Sequence, residues 1–230
     1  MADDPVLLIT GASSGIGAAT ARHAAEAGWR LVLAARSEDK LRELAEELGG
    51  DERAVPLRCD VQSWDDQQAA VETALDAFGR LDASLANAGF GATRGFLEED
   101  VDLWRDMVLT NVYGVSLSIR AVLPHFRAQG RGHMLLMGSV AGRRALPGSL
   151  YSATKWAVTA MGEALRQEVS DSDIKVTLIE PGMVDTPFFH EPKPDGLKAE
   201  DIARAVMFAL SQPPHVDVNE ILVRPIRQPL

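Results

Sequence analysis

Val6-Leu-Leu-Ile-Thr10-Gly-Ala-Ser-Ser-Gly15-Ile-Gly17 is the stretch that decides the fold. A short apolar run ends at Thr10, three glycines follow as Gly11-x-x-x-Gly15-x-Gly17, and an Ala-rich helical pattern begins at Gly15. Four to eight near-continuous apolar residues bounded by a turn read as a strand buried on both faces, the signature of a parallel sheet. Glycines at the strand-to-helix turn permit a tight backbone path. They also let N–H groups at the helix N-terminus approach a pyrophosphate. Alone the pattern is weak, because a tight turn needs the same glycines.

Outward from this unit the alternation continues. Arg30–Ala35, Ala54–Cys59, Leu81–Ala86, His133–Gly138, Ile174–Glu180 and Val218–Val223 read as further strands. Gly15–Ala27, Glu38–Leu48, Trp64–Phe78, Trp104–Arg127, Tyr151–Val169 and Ala199–Leu210 read as helices between them. The expectation is an α/β fold: one doubly wound, Rossmann-like domain over residues 1–230, with a parallel seven-stranded sheet flanked by helices. Ligands of such sheets bind beyond the carboxyl ends of the strands, so the loops leaving those ends are the candidate site. Pro181–Lys198 breaks the alternation with four prolines and no periodicity. Its place after the sixth strand makes 181–198 the expected substrate loop, a flexible lid, against a plain solvated connection.

Composition narrows the partners. With 230 residues the chain can bury roughly 70–75% of its unfolded surface. A formal charge of −10, from 23 basic and 33 acidic side chains without a basic run, argues against nucleic acid or an anionic membrane as partner. No apolar run approaches the roughly 18 residues of a membrane span. The N-terminus lacks a basic region ahead of its apolar run, so no signal peptide is read and a cytoplasmic location is expected. Cys59 stands alone and is expected as a buried thiol at a strand end. His23, His125, His133, His190 and His215 show no metal-ligand spacing, and no metal site is expected.

Chemistry concentrates at Tyr151-Ser-Ala-Thr-Lys155, with Ser139 twelve residues before it. Positions i and i+4 share a helix face, which brings the phenol and the ammonium into one site. A phenol with a pKa of about 10 carries protons poorly near neutrality, and an adjacent cation is expected to lower it. Beside a bound dinucleotide, a tyrosine proton carrier means carbonyl–alcohol chemistry. After the second strand the sequence reads Ala34-Ala35-Arg36-Ser37, without the acid that binds a ribose 2′-hydroxyl. Arg36 and Ser37 suit a 2′-phosphate, favouring NADP(H), with a solvated Arg36 as the plain alternative. Asp60 is read either as an acceptor for the adenine amino group or as a helix N-cap, which Ser63 also supplies. Phe90, Leu146, Met183, Phe188 and Phe189 form either an apolar substrate wall or ordinary core. Arg143-Arg144 meets a substrate carboxylate or is a solvated pair.

Together Thr10–Gly17, Asp60-Val61, Asn87-Ala88-Gly89, Asn111, Ser139, Tyr151-x-x-x-Lys155 and Pro181-Gly182-x-Val184-x-Thr186 resemble the short-chain dehydrogenase/reductase family, in its single-domain branch, over essentially the whole chain. The resemblance implies Tyr151 as general acid in reduction and base in oxidation. Lys155 would lower its pKa and bind the nicotinamide ribose, Ser139 would orient the carbonyl, and Asn111 would hold a relay water. It places Gly11, Ser13, Ser14, Ile16 and Gly17 along the pyrophosphate, and Asp60, Val61, Asn87 and Gly89 on the adenosine side. Pro181, Gly182, Val184 and Thr186 fall at the nicotinamide carboxamide. Arg36 and Ser37 match the NADP(H)-using members, whereas Ser14, where some of those carry a basic residue, keeps NAD(H) as the alternative. The same resemblance implies a small carbonyl or alcohol substrate and a homotetramer or homodimer. The helices around Trp104–Arg127 and Tyr151–Val169 would form that interface, with Trp104 and Met107, or Val115 and Ile119, as apolar positions that fit a core equally well. Ala86 replaces the first of two asparagines frequent in the family. The tail Val216–Pro225 is similar to the ending of serine-type and clavulanate-type dehydrogenases. A nicotinamide-binding regulator is the reading from another class; the retained Tyr151 and Ser139 argue against it. Substrate identity, stereochemistry and direction are not written in these residues.

Overall fold

The structure, a computed structural model, describes residues 4–189 and 191–228; His190 and the chain ends lie outside the described residues. Seven strands form one parallel sheet in the order β3-β2-β1-β4-β5-β6-β7. They are β1 (Val6–Thr10), β2 (Arg30–Ala35), β3 (Ala54–Arg58), β4 (Ala83–Ala86), β5 (Arg131–Met137), β6 (Asp173–Pro181) and β7 (Glu220–Val223). The helices are α1 (Gly15–Glu26), α2 (Glu38–Glu47), α3 (Trp64–Phe78), α4 (Val101–Val108), α5 (Val115–Gln129), α6 (Leu150–Glu168) and α7 (Ala199–Leu210).

Alternation of side chains along each strand divides the core into two layers. Leu7 and Ile9 of β1 join Leu31 and Leu33 of β2 on one face, covered by Ala18, Ala21 and Ala24 of α1 and Ile202 and Val206 of α7. Val6, Leu8, Val32 and Ala34 face the other way, under Ala70 and Ala74 of α3, Val122 and Phe126 of α5 and Val158 and Leu165 of α6. The strand runs read as uniformly apolar because both faces are covered. Cys59 is buried just past β3, and burial pushes its thiol up to about 12.

Several strand and helix ends shift by one or two residues from the sequence reading, and one helix differs. β5 begins at Arg131 rather than His133, because Arg131 already pairs with Asp173 of β6. β6 runs through Pro181, the first residue of the expected loop, which registers with Val223. The helix expected over Trp104–Arg127 is α4, a π-helical turn at Leu109–Gly114 and α5. Val101–Gln129 as a whole is long and apolar enough to cross a membrane by length and composition. Its apolarity is accounted for by packing: Met107, Val115, Leu117, Val122 and Phe126 are buried in the domain's own core. Met107 and Val115 are therefore not surface positions, and Trp104 and Ile119 are half-buried. The large exposed apolar residues of this segment are Val101, Leu103, Val108 and Tyr113, and α6 adds Trp156.

His133 on β5 is buried and shares a 2.8 Å hydrogen bond with Thr177 Oγ1 on β6. Burial, then the Lys175 charge, push its imidazole down to about 3 from 6.5. The folded ring stays neutral while the unfolded ring takes a proton below 6.5, so stability is lost as pH falls from 6.5 toward 3. Urea unfolding at neutral and mildly acidic pH should show this slope in the wild type. It should be reduced by about one proton equivalent in His133→Gln, which keeps a hydrogen-bonding group but does not titrate.

Candidate functional site

The sheet's winding reverses between β1 and β4, and there the glycine turn meets the loop after β4. Asn87 Nδ2 donates to the carbonyls of Thr10 and Gly11 at 3.0 and 3.2 Å. Thr10 Oγ1 accepts from the Asn87 and Ala88 backbone at 3.1 and 3.3 Å. The approach demands glycine: Gly11 has φ +66°, and a Cβ there would fall 2.8 Å from Ala88 Cα. Ser14 caps α1 through backbone geometry without a side-chain bond, and the first turn carries no acid. The N–H groups and positive end of α1 are therefore available to an anion.

A cleft opens over this seam, lined by Gly11, Ser13 and Ser14 after β1, Arg36 and Ser37 after β2, Asp60 and Val61 after β3, and Gly89 after β4. Arg36 and Ser37 are exposed at its rim. Ser63, not Asp60, caps α3, accepting from Asp66 N at 3.2 Å. Asp60 Oδ1 takes the Gln62 backbone N–H. Phe90, a candidate for the apolar wall, lines the same cleft, as do Ala35, Cys59, Ala88 and Thr110, which the sequence does not single out as ligand contacts. Small or strand-end residues of this kind carry no chemical signal in sequence; only the register of neighbouring strands brings them to one wall. Asn87 spends its side chain on the glycine turn, Ile16 packs against the core, and Val184 is buried in it.

The second group lies on the β4–β5–β6 side. Ser139 follows β5 and caps a 3₁₀ turn at Val140–Gly142, accepting from Ala141 N at 3.1 Å. Tyr151 and Lys155 lie in the first turns of α6, which Ser149 caps. The Ser139 hydroxyl neighbours the Tyr151 phenol and favours its charged form. Lys155 Nζ donates to Met137 O at 2.7 Å and lies 5.7 Å from the Tyr151 ring centre. Asn111 sits in the π-helical turn, 0% exposed. Its Oδ1 accepts from Phe90 N at 3.0 Å, and its Nδ2 donates to Phe90 O at 2.8 Å and Thr154 Oγ1 at 3.1 Å. π-turns frequently mark functional sites, and this one binds the β4 loop to α6. Gly89 joins the two groups: a Cβ there would stand 3.0 Å from Asn111 Oδ1 and 3.7 Å from Lys155 Nζ.

The electrostatics correct one expectation. The Tyr151 phenol is not lowered: burial pushes it up to about 12, against the Ser139 hydrogen bond. Burial pushes Lys155 down to about 8. Both charged forms lose solvation here, and that loss is the largest cause of each shift.

The 181–198 segment is tied at its base. Val184 and Leu197 form a parallel bridge, and Asp185 binds Lys193 N and Lys198 Nζ, each at 2.9 Å. Thr186 rests against Gly15, where a Cβ would be 3.4 Å from Thr186 Cβ. The Phe188 ring meets Tyr151 edge-on at 5.6 Å and Phe189 at 5.1 Å. Of the apolar wall, Phe188 thus reaches the phenol. Met183 N is held by Gln228 Oε1, and Leu146 N by Ser152 Oγ. Arg143 is ion-paired with Glu180 and Glu220. Arg144 is exposed.

A family model described as short chain dehydrogenase matches residues 5–196. The chain belongs to that family. An uncharacterized oxidoreductase of Staphylococcus haemolyticus is 42% identical over 226 residues, 96% of this chain and 97% of that protein. An alcohol dehydrogenase from the archaeon Thermococcus sibiricus, solved with 5-hydroxy-NADP, is 32% identical with a TM-score of 0.89, covering 99% of each chain. A 3-ketoacyl-(acyl-carrier-protein) reductase from Brucella melitensis, solved with NADH, is 30% identical with a TM-score of 0.88, covering 97% of this chain and 98% of that one. As a short-chain dehydrogenase the chain is an oxidoreductase.

Removal of the Asn87 amide leaves the Thr10 and Gly11 carbonyls without their donor. Asn87→Ala should lower stability by about 1–3 kcal/mol in urea unfolding. It should also weaken dinucleotide binding, read by quenching of tryptophan fluorescence.

Proposed function

We propose that this short-chain dehydrogenase interconverts a carbonyl and a secondary alcohol with NADP(H). The observation that carries the reading is Tyr151 beside Lys155 on α6, with Lys155 Nζ held at the end of β5 next to Ser139, a set joined through Gly89 to the seam cleft. The cleft fits a dinucleotide. Gly11 leaves room where a Cβ would strike Ala88, and the N-terminus of α1 is free of acid and of a side-chain cap. Gly11, Ser13 and Ser14 would hold the pyrophosphate, Asp60 and Val61 the adenine, and Thr186 with Pro181-Gly182 the carboxamide end. When bound, the nicotinamide supplies or accepts the hydride. The chain's own residues handle the proton. A phenol pushed up to about 12 holds its proton at neutral pH, as a donor to a carbonyl oxygen must. The Ser139 hydroxyl orients that oxygen, and Phe188 beside Tyr151 gives the site an apolar wall.

Arg36 and Ser37 at the rim support NADP(H), as does the Thermococcus relative solved with an NADP derivative. NAD(H) is the second reading, favoured by the uncharged Ser14 and by the Brucella reductase solved with NADH. NADPH and NADH oxidation against ketones, aldehydes, 3-oxo acids and quinones tests both. Tyr151→Phe should cost about 10²–10⁴-fold in kcat, and its turning over like the wild type would end the mechanism. Arg36→Ala should raise KM for NADPH about tenfold or more and leave that for NADH nearly unchanged. Equal effects on both cofactors would move the assignment to NAD(H).

We further propose a homotetramer or homodimer, with α4, the π-helical turn and α6 meeting through Val101, Val108, Tyr113 and Trp156, which are exposed apolar side chains. Sedimentation should give a multiple of 24.8 kDa at micromolar concentration; a stable monomer would remove the interface.

A further inference from the structure

Glu180 is a buried ionisable group at the catalytic edge to which the chemistry above gives no task. It is the penultimate residue of β6 and 1% exposed. A carboxylate is almost never buried so far unless it is paired. Its partners come from separate elements. Arg143 Nε donates to Oε1 and Oε2 at 2.7 and 2.8 Å. Thr159 Oγ1 on α6 donates to Oε1 at 3.2 Å. The same guanidinium reaches Glu220 at the start of β7. The loop after β5 lies directly on this pair, since a Cβ at Gly138 would stand 3.0 Å from Glu180 Cγ.

Each partner leads by a short, stiff path to a reacting group. Arg143 follows the 3₁₀ turn that Ser139 caps. Thr159 stands one helical turn beyond Lys155 and two beyond Tyr151. Glu180 is bonded through its peptide to Pro181, whose carbonyl accepts from Ser139 Oγ at 3.5 Å. Gly142 closes the set: a Cβ there would fall 2.6 Å from Lys155 O and 2.8 Å from Thr159 Oγ1, so the turn is seated on α6 without a spacer.

We infer that Glu180 and Arg143 are positioning residues: one ion pair on a buried carboxylate clamps the Ser139 turn, α6 and the Pro181–Thr186 segment into a single geometry. Apolar packing alone lets such elements slide by fractions of an ångström, whereas directional charge-assisted bonds do not. A misplacement of about 1 Å costs on the order of 10²-fold in rate. Releasing Arg143 leaves the buried Glu180 carboxylate uncompensated, so the clamp has no cheap open state. Burial pushes the Glu180 carboxyl up while Arg143 and Thr159 pull it down, and Glu220 adds to the push.

The inference rests on Ser139 and Tyr151 being the reacting pair, and the test separates the two. Glu180→Gln keeps the shape and removes the charge; Thr159→Val removes one bond and serves if the first variant does not fold. Hydrogen–deuterium exchange needs no substrate. In both variants it should accelerate together in peptides covering 138–143, 150–159 and 181–186, and remain unchanged in α2 and β3. With the best carbonyl of the panel and NADPH, kcat should fall about tenfold or more in Glu180→Gln, with the NADPH dissociation constant moving less than about threefold. Arg143→Ala should lose similarly and Arg143→Lys should recover part of it. Exchange confined to one segment, or wild-type kcat in Glu180→Gln, would overturn the clamp. So would a lowered Tm with the folded fraction turning over normally. Turnover surviving in Tyr151→Phe would instead remove the catalytic reading and leave the exchange data to judge the clamp.

Discussion

The Asn87 amide holds the Thr10 and Gly11 carbonyls, while the Thr10 hydroxyl holds the Asn87 and Ala88 amides. This reciprocal contact is the constraint from which the rest of the catalytic edge follows. β1 and β4 are neighbours in the sheet, but the chain leaves them in opposite directions, toward β2 and β3 on one side and β5 to β7 on the other. Loops that diverge leave a gap, and the gap is the cleft. Asn87 keeps it at one width by pinning both walls. The cost is steric: the walls meet so closely that Gly11 takes a positive φ beside Ala88 Cα. A side chain at that position would push the seam apart and misplace the N-terminus of α1.

The proton-handling side is organised by a different device. The π-helical turn between α4 and α5 places Asn111 against Phe90 and Thr154, so the loop after β4 and the helix carrying Tyr151 share one polar anchor. Lys155 is fixed from below by the Met137 carbonyl at the end of β5. Tyr151, Ser139 and Lys155 are thus held from three strands' ends and one helix. Enclosure in this setting shifts phenol and ammonium in opposite directions, each toward its neutral form. Burial thus disfavours the phenolate at this site.

The sequence made the strands legible wherever both faces are buried, since a run such as Leu31-Val-Leu-Ala-Ala35 has no alternative solvent face. Helix ends were legible where a cap is local, as at Ser63 and Trp64. The π-turn was not, because Leu109–Gly114 keeps the helical apolar period and differs only in hydrogen-bond reach. The Arg143 partners were hidden for another reason. Glu180 and Glu220 lie 37 and 77 residues further along the chain, and only the parallel pairing of β6 with β7 brings both to one guanidinium. The direction of the Tyr151 shift was misread because the i, i+4 spacing shows a nearby cation but not the burial that outweighs it.

What the sequence by itself determined is the alternation of buried strands with amphipathic helices, the glycine turn and the local pairing of Tyr151 with Lys155. These depend on neighbours within about one turn or one strand. The tertiary structure alone decided which strand ends become adjacent and which polar groups are desolvated. It also decided that Asn87 serves the turn, that Phe188 faces the phenol, and that Arg143 serves a buried carboxylate. Those outcomes depend on sheet order and burial, and both arise from the whole chain's packing rather than from any window of it.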